Sequence, residues 1–257
     1  MGEPAFEIDR KDLIEGLGKG LCVIEAFDDD HPRLTPSDVA EATGITRTAA
    51  RRYLLSLCHF GYAATDGKLF WLLPRVLRLG QSYLGAARLP RLVQPFIQRI
   101  SMATGETVNF SVLDGHDVVY LARSNSPRVV SIGFHLGARA PAHVVSPGIV
   151  LLSTLSDAAL GRWIASHDFG HFTSHTVVEA AQFRADVLAA RALDFWMAEQ
   201  QLDLGLRGLA VALKDRKGEC RGALGMTLQM SVMSREQAVE RLLPPLREAV
   251  QALRPLI

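Results

Sequence analysis

The run TPSDVAEATGITRTAARRYLLSLCHFG (35–61) constrains this chain more than any other feature. Thr35 stands where a helix N-cap stands, Pro36 suits the first helical position, and Asp38, three residues after the cap, meets the positive end of the helix dipole. Val39 and Ala40 turn inward. The helix ends at Thr43-Gly44-Ile45, where glycine can take a left-handed conformation. Thr46 then caps a second helix whose Ala50, Leu54 and Leu57, at i, i+4 and i+7, pack on the first. Arg47, Thr48, Arg51 and Arg52 are left facing outward. A helix, a short turn with glycine, and a helix carrying basic and hydroxyl groups near its N-terminus form the geometry that reads a DNA major groove, with Thr46, Arg47, Thr48, Arg51 and Arg52 as the candidate contacts.

The flanks fit the same plan. Upstream, Leu21, Ile24 and Phe27, with Cys22 and Val23 beside them, form a short apolar stripe ending in DDDHPRL, which predicts a first helix. Downstream, GYAATDGKLFWLL holds Asp66-Gly67 between two extended runs, which predicts a two-residue hairpin, the wing of a winged helix-turn-helix, with Lys68 on it. Between Gly44 and Arg88 seven basic residues face one acid, Asp66, although the whole chain carries a net charge of only +1. Such local basicity suits a face that meets phosphate.

At 257 residues the chain has room for two domains. Residues 1–73 are read as the DNA-binding domain, 74–89 as a linker helix and 90–257 as a second domain. In the linker, Val76, Leu77, Leu79, Tyr83 and Leu84 alternate with arginines, and Pro90 precedes the amphipathic run LVQPFIQRISMA. Extended segments follow at ETVNFSVL, DVVYLAR and VVSIGF, with LDGHD as a turn between the first two; RGLAVAL and CRGALGMTL form a hairpin around KDRKGE. Helical patterns at 147–165, 180–192 and 234–254 complete an α+β domain.

Ser146-Pro147-Gly148 carries the small-molecule argument. Ser146 is placed to cap a helix with Pro147 at its first position, and free N–H groups beyond would receive a carboxylate, with His143 as a further donor. Glu199 and Arg207 offer either a guanidinium fork for a carboxylate or an internal salt bridge.

Four stretches together resemble the IclR family of transcription regulators: GITRTAARRYLLSLCHFGY with PRVLRLGQSYL, GETVNFSVLDGHDVVYLAR, GARAPAHVVSPGIVLLS, and AEQQLDLGLRGLAVALKDRKGECRGALGMTL. The last is similar to the subgroup that controls aromatic-acid catabolism. The resemblance implies a GAF-like effector-binding fold for the second domain and, position by position, adds Ala198, Gly208, Gly225 and Thr227 to the effector pocket. It departs from the family at Val144-Val145-Ser146-Pro147, where a small, hydroxyl-rich segment is usual, and at Gly208, commonly serine or another polar residue.

Double-stranded operator DNA, a small organic acid effector and a second copy of the chain are the expected partners. The homodimer would form through Leu77, Leu79 and Tyr83, with a tetramer as the alternative. No cofactor or metal is expected. His167, His171 and His175, with Asp168 alongside, would align zinc ligands on a continuous helix, but Gly170 and Thr173-Ser174 interrupt it, predicting a loop with exposed histidines. VVSPG lacks the first glycine of a nucleophile elbow, and no phosphate loop or H-E-x-x-H occurs. Catalysis is not expected; the rivals are a sensor acting through protein contacts and a metal-dependent hydrolase. Cys22, Cys58 and Cys220 form no C-x-x-C pair. The acidic N-terminus and the lack of a run of roughly 20 apolar residues predict a cytoplasmic protein without a membrane span.

Overall fold

A computed structural model of the chain describes residues 8–9, 11–86, 88–125 and 134–257. The chain divides into two compact units, one reaching Ala86 and the other starting at Ala87.

In the first unit, α1 (Glu15–Glu25), α2 (Pro36–Thr43) and α3 (Arg47–His59) precede a two-stranded sheet of β1 (Ala63–Thr65) and β2 (Phe70–Leu72). Both caps form as the sequence predicts. The Thr35 hydroxyl accepts the Asp38 N–H at 3.3 Å while Asp38 accepts the Thr35 N–H at 2.7 Å, a reciprocal capping box. Gly44 takes φ 70° and closes α2. Val23, Val39, Ala50, Leu54 and Phe70 make the core. The α1 stripe is phased differently from the reading above: Val23 is buried and Leu21 exposed. The wing also differs, since Thr65 pairs with Phe70 and leaves the four-residue loop 66–69. Asp66 explains it: one carboxylate oxygen accepts the N–H groups of Lys68 and Leu69 at 2.9 and 2.8 Å, an Asx-type turn that replaces the tight two-residue form. After a short 3-10 turn, α4 (Leu77–Ala86) ends the unit with Leu77, Leu79 and Tyr83 exposed.

The second unit is built on a six-stranded antiparallel sheet ordered β5-β4-β3-β8-β7-β6. The strands are β3 (Thr107–Asp114), β4 (Asp117–Ser124), β5 (Arg139–Pro141), β6 (Trp196–Glu199), β7 (Leu206–Lys214) and β8 (Cys220–Gln229). The predicted hairpins β3–β4 and β7–β8 are present. VVSIGF (129–134), read as a strand, lies outside the described residues except for Phe134. One sheet face carries Val108, Phe110, Leu209, Val211, Leu224 and Leu228, all buried, and is covered by α5 (Arg88–Thr104) and α9 (Arg235–Leu253). The other carries small residues, Gly208, Ala210, Ala212, Ala223 and Gly225, on which α6 (Ser146–Ser153) lies; Val150 packs on Ala210 and Ala212. The helical run at 147–165 is two helices, because Ser156 caps α7 (Asp157–Ser166) through the Ala159 N–H. With α8 (Ala180–Leu193), α7 packs over α6 through Leu160, Trp163, Phe183 and Val187.

Candidate functional site

The nucleic-acid face is the first half of α3. Thr46 caps it, its hydroxyl accepting the Ala49 N–H at 3.2 Å, while Ala50 and Leu54 fix the buried side. Arg47, Thr48, Arg51 and Arg52 are exposed and fall into two i, i+4 rows, Arg47 with Arg51 and Thr48 with Arg52. None of the three guanidinium groups is in an ion pair among the described residues. Lys68 is exposed on the wing loop that Asp66 shapes. Sequence reasoning missed Arg33, whose guanidinium lies 4.4 Å over the Trp71 ring of β2 and adds a cation to the wing. No local pattern links those residues; the bridge between Leu34 and Phe70 brings them together.

In the second unit a cavity of about 250 Å³ lies between the start of α6, the small-residue face of β3, β7 and β8, and the loop after β6. Of the residues predicted for the effector, Ser146, Pro147, Ala198, Arg207, Gly208, Gly225 and Thr227 line it. His143, Gly148 and Glu199 do not, and each has another task.

Gly148 seats α6: a Cβ there would lie 2.0 Å from the Ala142 carbonyl oxygen. Ser146 does not cap the helix. Val145 occupies the N-cap position, and the Ser146 hydroxyl instead accepts the Ala198 N–H of β6 at 2.9 Å. The predicted row of free amides is also absent, because Gly148 and Ile149 both donate to the Val145 carbonyl, at 3.0 and 3.2 Å, and Pro147 has no N–H. What the helix start offers the cavity is the positive end of its dipole.

Glu199 and Arg207 face each other across β6 and β7 and form the internal salt bridge, Nε to Oε1 at 2.5 Å. Arg207 also donates to the Met233 carbonyl at 2.9 Å, and Glu199 takes a second cation, Arg235, at 2.8 Å. Arg207 is 4% exposed, and its register with Leu228 puts its side chain on the sheet face opposite Gly208 and Gly225, where its charge is compensated.

His143 is buried behind the cavity wall in a chain of imidazoles. Its Nε2 lies 3.0 Å from the Gly170 carbonyl and its Nδ1 2.8 Å from His167 Nε2, while His167 Nδ1 lies 3.1 Å from His116 Nδ1. The network assigns neutral tautomers: His143 donates to Gly170, His167 to His143, and His116 to His167. Burial lowers the pKa of His143 and, with the neighbouring His143 and His116, brings His167 down to about 4. His167 is therefore packed, stacked on Trp163 at 4.2 Å, and not an exposed loop residue; His171 and His175 are exposed. The helix ends at Ser166, as the interrupted pattern predicted, and among the described residues no group of His, Cys, Asp and Glu is placed to hold a metal.

Sequence reasoning missed the cavity's opposite wall. Asn109 and Ser111 on β3, with Tyr120 on β4, are buried polar residues lining it, and Tyr120 stacks on Phe134 with ring centres 4.7 Å apart. Their signal lies in TVNFSV, where polar Thr107, Asn109 and Ser111 alternate with Val108, Phe110 and Val112; a strand buried on both faces needs a reason for a polar one.

A winged helix presenting exposed arginines and, on the same chain, a sensor unit with a ligand-sized cavity define a transcription regulator that responds to a small molecule. Comparison with known proteins gives the family. Residues 16–67 match the IclR helix-turn-helix domain and residues 81–254 the bacterial transcriptional regulator IclR C-terminal domain. The p-hydroxybenzoate hydroxylase transcriptional activator of Acinetobacter baylyi is 40% identical over 98% of this chain and 94% of its own. A solved structure from Rhodococcus sp. RHA1 is 37% identical, with a TM-score of 0.79 over 94% of this chain and 97% of that one. The PobR inducer-binding domain of Acinetobacter, a double mutant solved with 3-hydroxybenzoic acid, is 32% identical, with a TM-score of 0.63 over 66% of this chain and all of that one. The chain belongs to the IclR family of bacterial transcriptional regulators. It is a DNA-binding regulator under effector control, and not an enzyme.

Proposed function

We propose that the chain binds operator DNA in the cytoplasm as a homodimer, and that a monocyclic aromatic acid sets its operator affinity. In this reading 1–73 is the DNA-binding domain, 74–89 the linker helix and 90–257 the sensor. Thr46 orders the start of α3; Arg47, Thr48, Arg51 and Arg52 contact the major groove, and Lys68 the backbone or minor groove. The exposed Leu77, Leu79 and Tyr83 of α4 support pairing of two copies there, since one winged helix covers only a half-site.

One observation carries the effector class: the cavity combines the stacked rings of Tyr120 and Phe134 with a polar end at Ser146 and Thr227, beside the positive end of α6. A ring lies along the aromatic wall, and its carboxylate takes the polar end. Pro147, Ala198, Gly208 and Gly225 shape the space, while His143, Gly148 and Glu199 hold that shape from behind. Relatives whose names refer to p-hydroxybenzoate and 3-hydroxybenzoic acid support the same class. Calorimetric titration with 4-hydroxybenzoate, protocatechuate, a muconate and a short keto acid tests it. An aromatic acid is expected to bind the native chain and to fail on Thr227→Leu. Binding of the keto acid alone, or unchanged aromatic-acid binding in the variant, contradicts the reading.

A further inference from the structure

Asn109 is a polar side chain enclosed without compensation. It is 3% exposed, it lines the cavity, and its Oδ1 has no hydrogen-bond partner among the described residues. A buried amide acceptor left unmade costs free energy that a native structure carries only for a reason, and Asn109 borders the cavity. Ser111, two residues along the same face, is 1% exposed, and Tyr120, its cross-strand partner, is 3% exposed; both line the cavity too. Burial keeps the Tyr120 phenol protonated, hence a donor. The row is uncharged and holds donors and acceptors together, which suits a hydroxyl, itself both donor and acceptor, better than an anion.

Position in the sheet separates this row from the carboxylate end. Gly225 pairs with Asn109, and Thr227 with Thr107 and Gly208, so Asn109 lies two residues along and one strand across from Thr227. That is about 7 Å along the strands and about 5 Å across them, a separation that one benzene ring substituted at both ends bridges.

We infer that Asn109, with Ser111 and Tyr120, recognises a ring hydroxyl of the effector, so that the regulator discriminates hydroxybenzoates from benzoate. This rests on the aromatic-acid reading above and adds the residue that sets specificity within the class. An unhydroxylated ring leaves the Asn109 amide buried and unpaired, and a site built to bond a hydroxyl rejects the analogue that lacks it.

The test measures dissociation constants of benzoate, 3-hydroxybenzoate and 4-hydroxybenzoate for the full chain and for Asn109→Leu, Ser111→Ala and Tyr120→Phe. The native chain is expected to hold at least one hydroxybenzoate about tenfold or more tighter than benzoate. In Asn109→Leu that advantage falls to near unity because hydroxybenzoate affinity falls much further than benzoate affinity, and Ser111→Ala or Tyr120→Phe narrows it in part. Equal loss for benzoate and hydroxybenzoates in Asn109→Leu means the row holds the carboxylate, which overturns the inference but leaves the aromatic-acid reading intact. A native chain that binds all three alike also overturns it, and one that binds none removes both. Should Asn109→Leu not fold, an unaltered ratio in both milder variants overturns the proposal.

Discussion

Ser146 and Gly208 are matched by size: the Ser146 hydroxyl occupies the space above Gly208, where a Cβ would lie 2.7 Å from its oxygen. The same hydroxyl binds the Ala198 N–H of the neighbouring strand, so one missing methyl group lets α6 anchor to the sheet beside the cavity. Gly208→Ala is expected to destabilise the sensor unit by about 1–3 kcal/mol, the usual cost of overpacking. In a Ser146→Ala background the same change costs less, and thermal denaturation of the four proteins in a double-mutant cycle measures the coupling. Additive effects contradict the pairing.

Gly148 is the stricter case. Its phantom Cβ falls 2.0 Å from backbone, which cannot rotate away as a side chain can. Gly148→Ala should cost more than about 3 kcal/mol and yield mostly insoluble protein. A soluble variant with native melting temperature shows that α6 is seated otherwise.

The imidazole chain makes a prediction about pH. His167 in the folded chain has its pKa depressed to about 4, and His143 is depressed as well, both chiefly by burial. An unfolded histidine titrates near 6.5. The unfolded state therefore binds more protons between these values, so the stabilisation is complete above about pH 6.5 and is lost as pH falls toward 4. The melting temperature of the native chain should drop by several degrees between pH 7 and pH 5, and His167→Gln should show a shallower slope over that interval. Identical slopes refute the assignment.

How much of this was legible in sequence follows from distance along the chain. Thr35, Asp38, Gly44 and Thr46 act within three or four residues of themselves, and their roles could be read directly. Ser146 meets a partner 52 residues away, so its position before Pro147 suggested a cap it does not make. His143 looked like a ligand donor only because nothing local revealed His167, 24 residues on. Asn109 enters the site through the register of β3 against β8, and only the polar beat of TVNFSV hinted at it.

The DNA face is tested by truncation. Arg51→Ala with Arg52→Ala should weaken operator binding by roughly 2–6 kcal/mol if both read bases, since each such contact contributes about 1–3 kcal/mol. Lys68→Ala should instead weaken binding to all sequences alike and reduce its salt dependence. Gel-shift titrations on operator and on random DNA separate the two. Operator affinity unchanged in the double variant means that α3 is not the reading helix.

Effector control is read most directly from the operator-binding curve of the native chain with and without a saturating aromatic acid. An effector shifts the DNA equilibrium only by binding the two states of the protein unequally, and the shift must be reciprocal. The expected result is sequence-specific retardation of the DNA upstream of the gene, a midpoint moved about fivefold or more by 4-hydroxybenzoate or a related acid, and an equal change in acid affinity when operator is present. An acid that binds the sensor and leaves the operator midpoint where it was, or a chain that retards random DNA equally well, contradicts it.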